Sequence, residues 1–215
     1  MKILEVKNLV IKLKKDNREI IKNINFSMEK NTCLGILGES GSGKSVTCKS
    51  ILNILNKNFD VKGKMIFDGK NLLECKEEEM REIRGKEICM ILQNPMTSFD
   101  PLYTIENQMV ETFLEHIKIS RQDAVNLAKE SLEKMRLKDI DNVLKKYPHE
   151  LSGGMLQRIM IAIAIALKPK LIIADKPTTA IDSLNQKDII EEFKILKNEI
   201  NVSILFVTHD FQLCT

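Results

Sequence analysis

Gly38-Glu39-Ser40-Gly41-Ser42-Gly43-Lys44-Ser45 follows an apolar run at residues 33–37 and precedes a stretch of helical character at residues 44–55. The spacing G-x-x-x-x-G-K-[ST] between a buried strand and a helix is that of a phosphate-binding loop. Glycine at positions 38, 41 and 43 allows positive φ angles. Backbone N–H groups can then turn toward phosphate oxygens at a helix N-terminus, whose partial positive charge favours anions. The motif assigns Lys44 to the β and γ phosphates of a nucleotide and Ser45 to Mg²⁺. Glu39, Ser40 and Ser42 complete the loop as candidate phosphate-binding residues.

Working outward, the 215 residues fit one domain with room for an inserted lobe. The 33 Lys and Arg nearly balance the 30 Asp and Glu, so charge gives no nucleic-acid footprint. Cys33, Cys48, Cys75, Cys89 and Cys214 have no C-x-x-C spacing and read as reduced, mostly core thiols, which suits a cytoplasm. Lys2, Glu5 and Lys7 interrupt the first ten residues, unlike a signal peptide. The longest apolar run, residues 159–167, is far shorter than the ~20 residues of a membrane span. Work at a membrane would therefore depend on a partner.

Alternation at Leu9, Ile11 and Leu13, and at Ile24, Phe26 and Met28 before a Lys30-Asn31 turn, predicts strands. Residues 64–67 with the Asp68-Gly69 turn predict another, 77–84 a charged helix, and 87–92 a strand leading to Gln93. From Asn94 the pattern becomes helical. Pro95 and Pro101 mark a loop, and helices are predicted over 105–117 and 121–135. The second has Ser120 and Asp123 as a capping box and Ala124, Leu127, Ala128, Leu132 and Met135 as its apolar stripe. Pro148 is expected to close a further short helix before Leu151-Ser152-Gly153-Gly154-Met155. Residues 95–157 thus read as a helical insertion in an α/β core made of 1–94 and 158–215. Beyond it come a helix apolar on all sides at 159–167 and a buried strand at 171–174 ending in Asp175. A strand-end aspartate either holds the Mg²⁺ of a phosphate-loop site or caps the following turn. Asp182 or Ser183 would cap a helix over 184–200, and a last strand at 203–207 leads to His209.

Five ordered motifs now stand together: GESGSGKS, the glutamine of ILQNP, LSGGMLQR, LIIADKPTTAID and FVTHD. Over nearly its whole length the chain resembles an ATP-binding cassette (ABC) transporter ATPase subunit. That resemblance implies a P-loop NTPase with an α/β, RecA-like core, an N-terminal antiparallel β subdomain and an inserted α-helical subdomain, C-terminally truncated relative to the family. ATP and Mg²⁺ are the implied cofactors, with Ser45, Gln93 and Asp175 around the metal and Gln93 also catalytic. Leu151, Ser152, Gly153, Gly154 and Met155 would be the signature, a helix N-terminus facing the γ-phosphate held by a second ABC ATPase subunit packed head to tail. Asp182 would lie in the loop through which the two sites communicate, and His209 would bond the γ-phosphate and the attacking water. His116 and His149 match no functional position.

The segments QNPMTSFDP and PHELSGGMLQRIMIAIA are similar to the peptide and nickel importer branch. Thr47-Cys48, Gln93-Asn94-Pro95 and Met155-Leu156-Gln157 look most like the nickel-import or metallophore-import subunit. The resemblance therefore implies two membrane permease subunits, an extracytoplasmic solute-binding protein, no nucleic acid, and a place on the cytoplasmic face of the membrane. Dipeptide or oligopeptide import is the neighbouring alternative. A soluble ABC protein of translation or DNA repair is disfavoured, because those carry two cassettes or a long coiled coil.

Three departures from the family pattern stand out. Lys176 occupies the position of the glutamate that polarises the attacking water, and an ammonium cannot accept a proton. A subunit that binds ATP without hydrolysing it is therefore a second reading. Residues 12–21 hold no aromatic ring to stack on adenine, leaving Ile20 or Ile21 as packing surface. The sequence stops at Thr215, where relatives continue, which predicts an open sheet edge.

Overall fold

The computed structural model describes residues 1–177 and 201–208. In chain order the first half contains β1 (Lys2–Leu13), β2 (Glu19–Glu29), β3 (Cys33–Leu37), α1 (Lys44–Ile51), β4 (Phe59–Phe67), β5 (Lys70–Asn71), α2 (Glu77–Ile83) and β6 (Ile88–Ile91). The second half contains α3 (Ile105–His116), α4 (Arg121–Lys134), α5 (Ile140–Lys145), α6 (Gly153–Ala166), β7 (Leu171–Asp175) and β8 (Ser203–Thr208). The helix expected over 184–200, with Asp182, Ser183, His209 and Cys214, lies outside the described residues.

One sheet is antiparallel, in the order β2-β1-β4-β5. Its inward set on β1 shifts phase, from Leu4 and Val6 to Leu9 and Ile11, because Asn8 takes a left-handed φ of 49° and bulges the strand. The register slips there against both neighbours. Gly63 of β4 accommodates the bulge, since a Cβ at that position would lie 2.6 Å from the Asn8 carbonyl oxygen. Asp68 and Gly69, at φ 45° and 89°, join β4 to β5 in a two-residue turn with both angles positive, which suits the strand twist. The strand before that turn begins at Phe59, earlier than its alternation indicates.

The second sheet is parallel, in the order β3-β8-β7-β6. Every residue of β7 and β8 is buried, and alternate side chains enter two different layers. Ile172, Ala174, Ile204 and Phe206 pack with α6, α4 and α3, whereas Leu171, Ile173, Leu205 and Val207 pack with Cys48 and Ile51 of α1 and with β1. Burying one such aliphatic side chain is worth about 1.5–3 kcal/mol, so these strands anchor both layers. Helix α6, caught between the sheet and the helical layer, is apolar on all sides from Ile159 onward for that reason. It runs unbroken through residue 157, so the insertion and the core share it.

The expectation of a buried strand before the phosphate loop is corrected. Among the described residues β3 pairs only with β8, leaving Cys33 and Gly35 exposed. Cys75 is half-buried and Cys48 and Cys89 are buried, so the thiols are not uniformly core residues. Pro148, expected to close α5, instead opens a 3₁₀ turn at Pro148–Glu150 after the helix has ended at Lys145. His116 is a packing residue, its ring lying over Gly85, where a Cβ would stand 2.4 Å from Nε2.

Helix α1 stops at Ile51 rather than continuing to Leu55. Asn53 adopts φ 52°, and the N–H groups of Asn53 and Ile54 donate to the carbonyls of Ser50 and Lys49, both at 3.1 Å. This left-handed cap satisfies the last carbonyls and turns the chain away. Arg84 closes over the same end, with Nε 2.8 Å from the Leu52 carbonyl and Nη2 3.2 Å from that of Asn53, while its other edge pairs with Glu77. Arg84→Ala is expected to cost about 2 kcal/mol through the lost carbonyl bonds. A urea titration showing an unchanged midpoint would remove this role.

Candidate functional site

Parallel register brings the functional residues to one edge. Leu37 pairs with Thr208, Val207 with Asp175, and Ala174 with Ile91, so the carboxyl ends of all four strands lie side by side. Gly38, Lys176 and the segment Leu92-Gln93 leave from that edge, the usual place for ligands in an open α/β sheet. Gln93 is exposed two residues past the end of β6.

The phosphate loop wraps its own lysine. Lys44 is only 7% exposed, and its Nζ donates to the carbonyls of Gly38 at 2.5 Å and Glu39 at 2.6 Å and lies 3.2 Å from Ser42 Oγ. Gly41 and Gly43 take left-handed φ angles of 83° and 92°, while Gly38, at 158°, is nearly extended. At Gly43 a side chain has no room, because a Cβ would come 2.4 Å from Ile21 Cδ1. Gly43 caps α1 without any side-chain hydrogen bond, and no acidic residue stands in the first turn. The N–H groups of that turn and the ammonium together form an anion-attracting surface.

Ser45 Oγ donates to Asp175 Oδ1 at 3.0 Å, joining two residues 130 positions apart. Asp175 is 3% exposed. An alcohol and a carboxylate converging beside a phosphate loop are hard oxygen donors of the kind Mg²⁺ takes. Burial, with Asp175 nearby, pushes the Cys48 thiol well above its ordinary pKa, and burial pushes Cys89 up to about 12, so neither is a nucleophile. Lys176 is half-buried in the left-handed region at φ 49°, and its N–H donates to the Val207 carbonyl at 2.8 Å.

At the far end of the helical layer, Ser152 is the N-cap of α6 and its side chain accepts from the Met155 N–H at 3.3 Å. Leu151 is buried, Ser152 is exposed, and Gly153, Gly154 and Met155 are half-buried. A Cβ on Gly154 would meet nothing within 4 Å, so this helix start is open.

The family model described as ABC transporter matches residues 21–179. The chain belongs to the ABC transporter family. It is 44% identical to a metal-staphylopine import system ATP-binding protein of Staphylococcus aureus, over 98% of this chain and 78% of that protein. It is 46% identical to a dipeptide transport ATP-binding protein of Lactococcus lactis, over 97% of this chain and 61% of that protein. A solved ABC cassette dimer in a post-hydrolysis state with ADP and Pi superposes with a TM-score of 0.85 at 28% identity, covering 98% of this chain and 89% of that one.

The structure brings the candidate phosphate-loop residues Gly38 to Ser45 against Asp175. Of the expected adenine contacts, Ile21 is 5% exposed, lies over Gly43 and lines a cavity with Gly38, Ser42 and Lys44, whereas Ile20 is half-buried. His209 and Asp182 lie outside the described residues. Sequence reading missed Gln157. Its side chain is fully buried, and neither amide atom has a hydrogen-bond partner among the described residues. The only sequence signal was a polar residue at the start of an apolar helix.

Proposed function

We infer that this chain is the ATP-binding and ATP-hydrolysing subunit of an ABC importer that energises uptake of nickel or a metal chelate, with dipeptide or oligopeptide import as the neighbouring cargo. The observation that carries the reading is the Ser45–Asp175 contact at 3.0 Å beside a lysine enclosed by a phosphate loop. The metal cargo draws on the staphylopine import relative, and the peptide alternative on the dipeptide one.

In this reading the backbone of Gly38 to Ser45 holds the ATP phosphates and Lys44 neutralises the β and γ groups. Ser45, Gln93 and Asp175 would hold Mg²⁺, which would supply charge neutralisation for the phosphates. Ser152, Gly153 and Gly154, flanked by Leu151 and Met155, present their helix start to the nucleotide of a second cassette packed head to tail. The dimeric state of the solved relative and the open space at Gly154 support that arrangement. By the family resemblance His209 would bond the γ-phosphate and water and Asp182 would link the two sites; both lie outside the described residues.

Residues 95–157 form the lobe that meets two membrane permeases, which work with an extracytoplasmic solute-binding protein. Met96, Leu102 and Tyr103, exposed by 46%, 78% and 53%, supply an apolar surface for that docking. No helix among the described residues is long and apolar enough to cross a membrane, so attachment at the cytoplasmic face runs through the permeases. Lys176 supports a second reading, in which this chain clamps ATP without hydrolysing it while its signature serves the partner's site.

The test is turnover by the purified pair of cassettes. Ser152→Arg in this chain is expected to slow hydrolysis at the partner's site on the order of 10²- to 10³-fold, the usual loss on removing preorganised donors. ATP affinity of the mutated chain itself should not change. Undiminished turnover would contradict the head-to-tail assignment.

A further inference from the structure

The cations of this chain are not spread evenly. Residues 1–30 and 56–67, which hold β1, β2 and β4 with their turns, carry eleven Lys and Arg against five Asp and Glu. With a net charge of +3 over the whole chain, everything else is therefore net negative. Side chains alternate across a strand. Leu4, Val6, Leu9 and Ile11 of β1 are buried on the inner face of the antiparallel sheet, and Lys7, Lys22, Lys62 and Lys64 stand exposed on the outer one.

Ladder register sets Lys7 directly opposite Lys64 and Val10 opposite Lys62. Like charges placed face to face on a sheet repel, so folding by itself gives no reason for that pair. The carboxylates of this face are already engaged: Glu5 pairs with Lys2 and Lys7, Glu19 with Lys12, and Asp60 with Lys62. Lys22 and Lys64 enter no ion pair among the described residues. At one end of the sheet the Lys14 N–H donates to the Asn58 carbonyl at 2.8 Å, which brings the exposed Lys14, Lys15 and Lys57 to the same rim. Asn8, Asn25, Ser27 and Gly63, exposed between the lysines, are short, so the ammonium groups reach furthest out.

Such a surface suits a broad anionic partner that needs no fixed register. Arg18 is the one arginine of these segments, and Phe26, Phe59 and Phe67 pack inward, so the face offers neither guanidinium forks nor rings on which bases stack. Anionic lipid headgroups ask for neither, and each lysine near a bilayer surface adds about fivefold in affinity. We propose that the outer face of the β2-β1-β4-β5 sheet, centred on Lys7, Lys22, Lys62 and Lys64, docks on the anionic headgroups of the membrane. It gives the chain an electrostatic attachment beside its permease contact. The place of the chain at that membrane rests on the importer reading above, whereas the affinity of the face for anionic lipid does not.

The experiment is co-sedimentation of the purified chain with vesicles of phosphatidylcholine alone and of phosphatidylcholine with phosphatidylglycerol. Wild type is expected to bind the anionic vesicles and leave the neutral ones, with affinity falling as salt rises. Changing Lys7, Lys22, Lys62 and Lys64 together to Gln should weaken binding on the order of 10²- to 10³-fold. The same change of net charge on the helical lobe, at Lys118, Lys134, Lys138 and Lys145, should weaken it by no more than about fivefold, since charges beyond a Debye length are screened. The first variant should melt as wild type does, because exposed ion pairs contribute little. If it melts lower, Lys22→Gln with Lys64→Gln, which breaks no ion pair of this face, is read in its place, with an expected loss of roughly 25-fold.

Equal binding to both kinds of vesicle, no binding to either, or the same loss from both sets of substitutions overturns the proposal. Displacement of wild type from anionic vesicles by a DNA duplex at equal phosphate concentration also overturns it, in favour of a nucleic-acid face. Nucleotide titration of the same preparations keeps the two readings apart. Absent vesicle binding with ATP binding intact defeats the proposal alone, and vesicle binding without ATP binding supports it while removing the importer reading.

Discussion

Lys44→Ala is expected to lower nucleotide affinity by on the order of 100-fold or more. The side chain is the cation enclosed by the phosphate loop, with its Nζ at hydrogen-bond distance from Gly38, Glu39 and Ser42. A charge-assisted bond to phosphate contributes roughly twice what a neutral one does, and the proposed role has this ammonium serve two phosphate groups. The same substitution releases the carbonyls of Gly38 and Glu39, so loop order and anion charge balance are lost together. Arginine is expected not to rescue, because a planar, fork-shaped guanidinium does not reproduce the compact ammonium that donates to the Gly38 and Glu39 carbonyls. A fluorescent-nucleotide titration checks the prediction, with a melting curve confirming that the variant is folded. Affinity within a factor of two of wild type would end the phosphate-loop assignment.

The second large effect is a gain. Lys176→Glu should speed hydrolysis at this chain's own site by about 10²- to 10⁴-fold, the range of general-base assistance, while ATP affinity changes little. Position 176 follows the buried Asp175 directly, and its backbone is pinned by the bond to Val207. Glutamate meets the same φ of 49° as lysine, so the exchange alters charge and proton-accepting ability more than shape. In a head-to-tail dimer, this residue serves the site built on its own phosphate loop, whereas Ser152 to Gly154 serve the other. Turnover is therefore measured in a pair whose partner site has been disabled. If wild type already hydrolyses ATP there as fast as Lys176→Glu, the position does not activate water and the reading as a silent clamp falls.

Much of the fold was legible because local patterns and global structure agree. Strict alternation, the Asp68-Gly69 hairpin, the Ser120 cap and the apolar circumference of α6 each name their own conformation. The missed boundaries have local physical causes that propensity does not weigh. Asn53 stops α1 by taking a left-handed angle, and the bulge at Asn8 changes which β1 residues face inward.

By itself the sequence determined the family and named the candidate residues of the site. Phosphate binding depends on backbone freedom, a lysine and a hydroxyl at fixed short spacing, and Lys176 is visible at its position without coordinates. Only the tertiary structure decided what depends on distance across the chain. It joined Ser45 to Asp175, plugged the space over Gly43 with Ile21 and left β3 with one neighbour among the described residues. It also left the buried amide of Gln157 without a partner among the described residues. These contacts arise because parallel strands from separated segments meet at one edge, and a one-dimensional pattern contains no record of which side chain fills a neighbour's space.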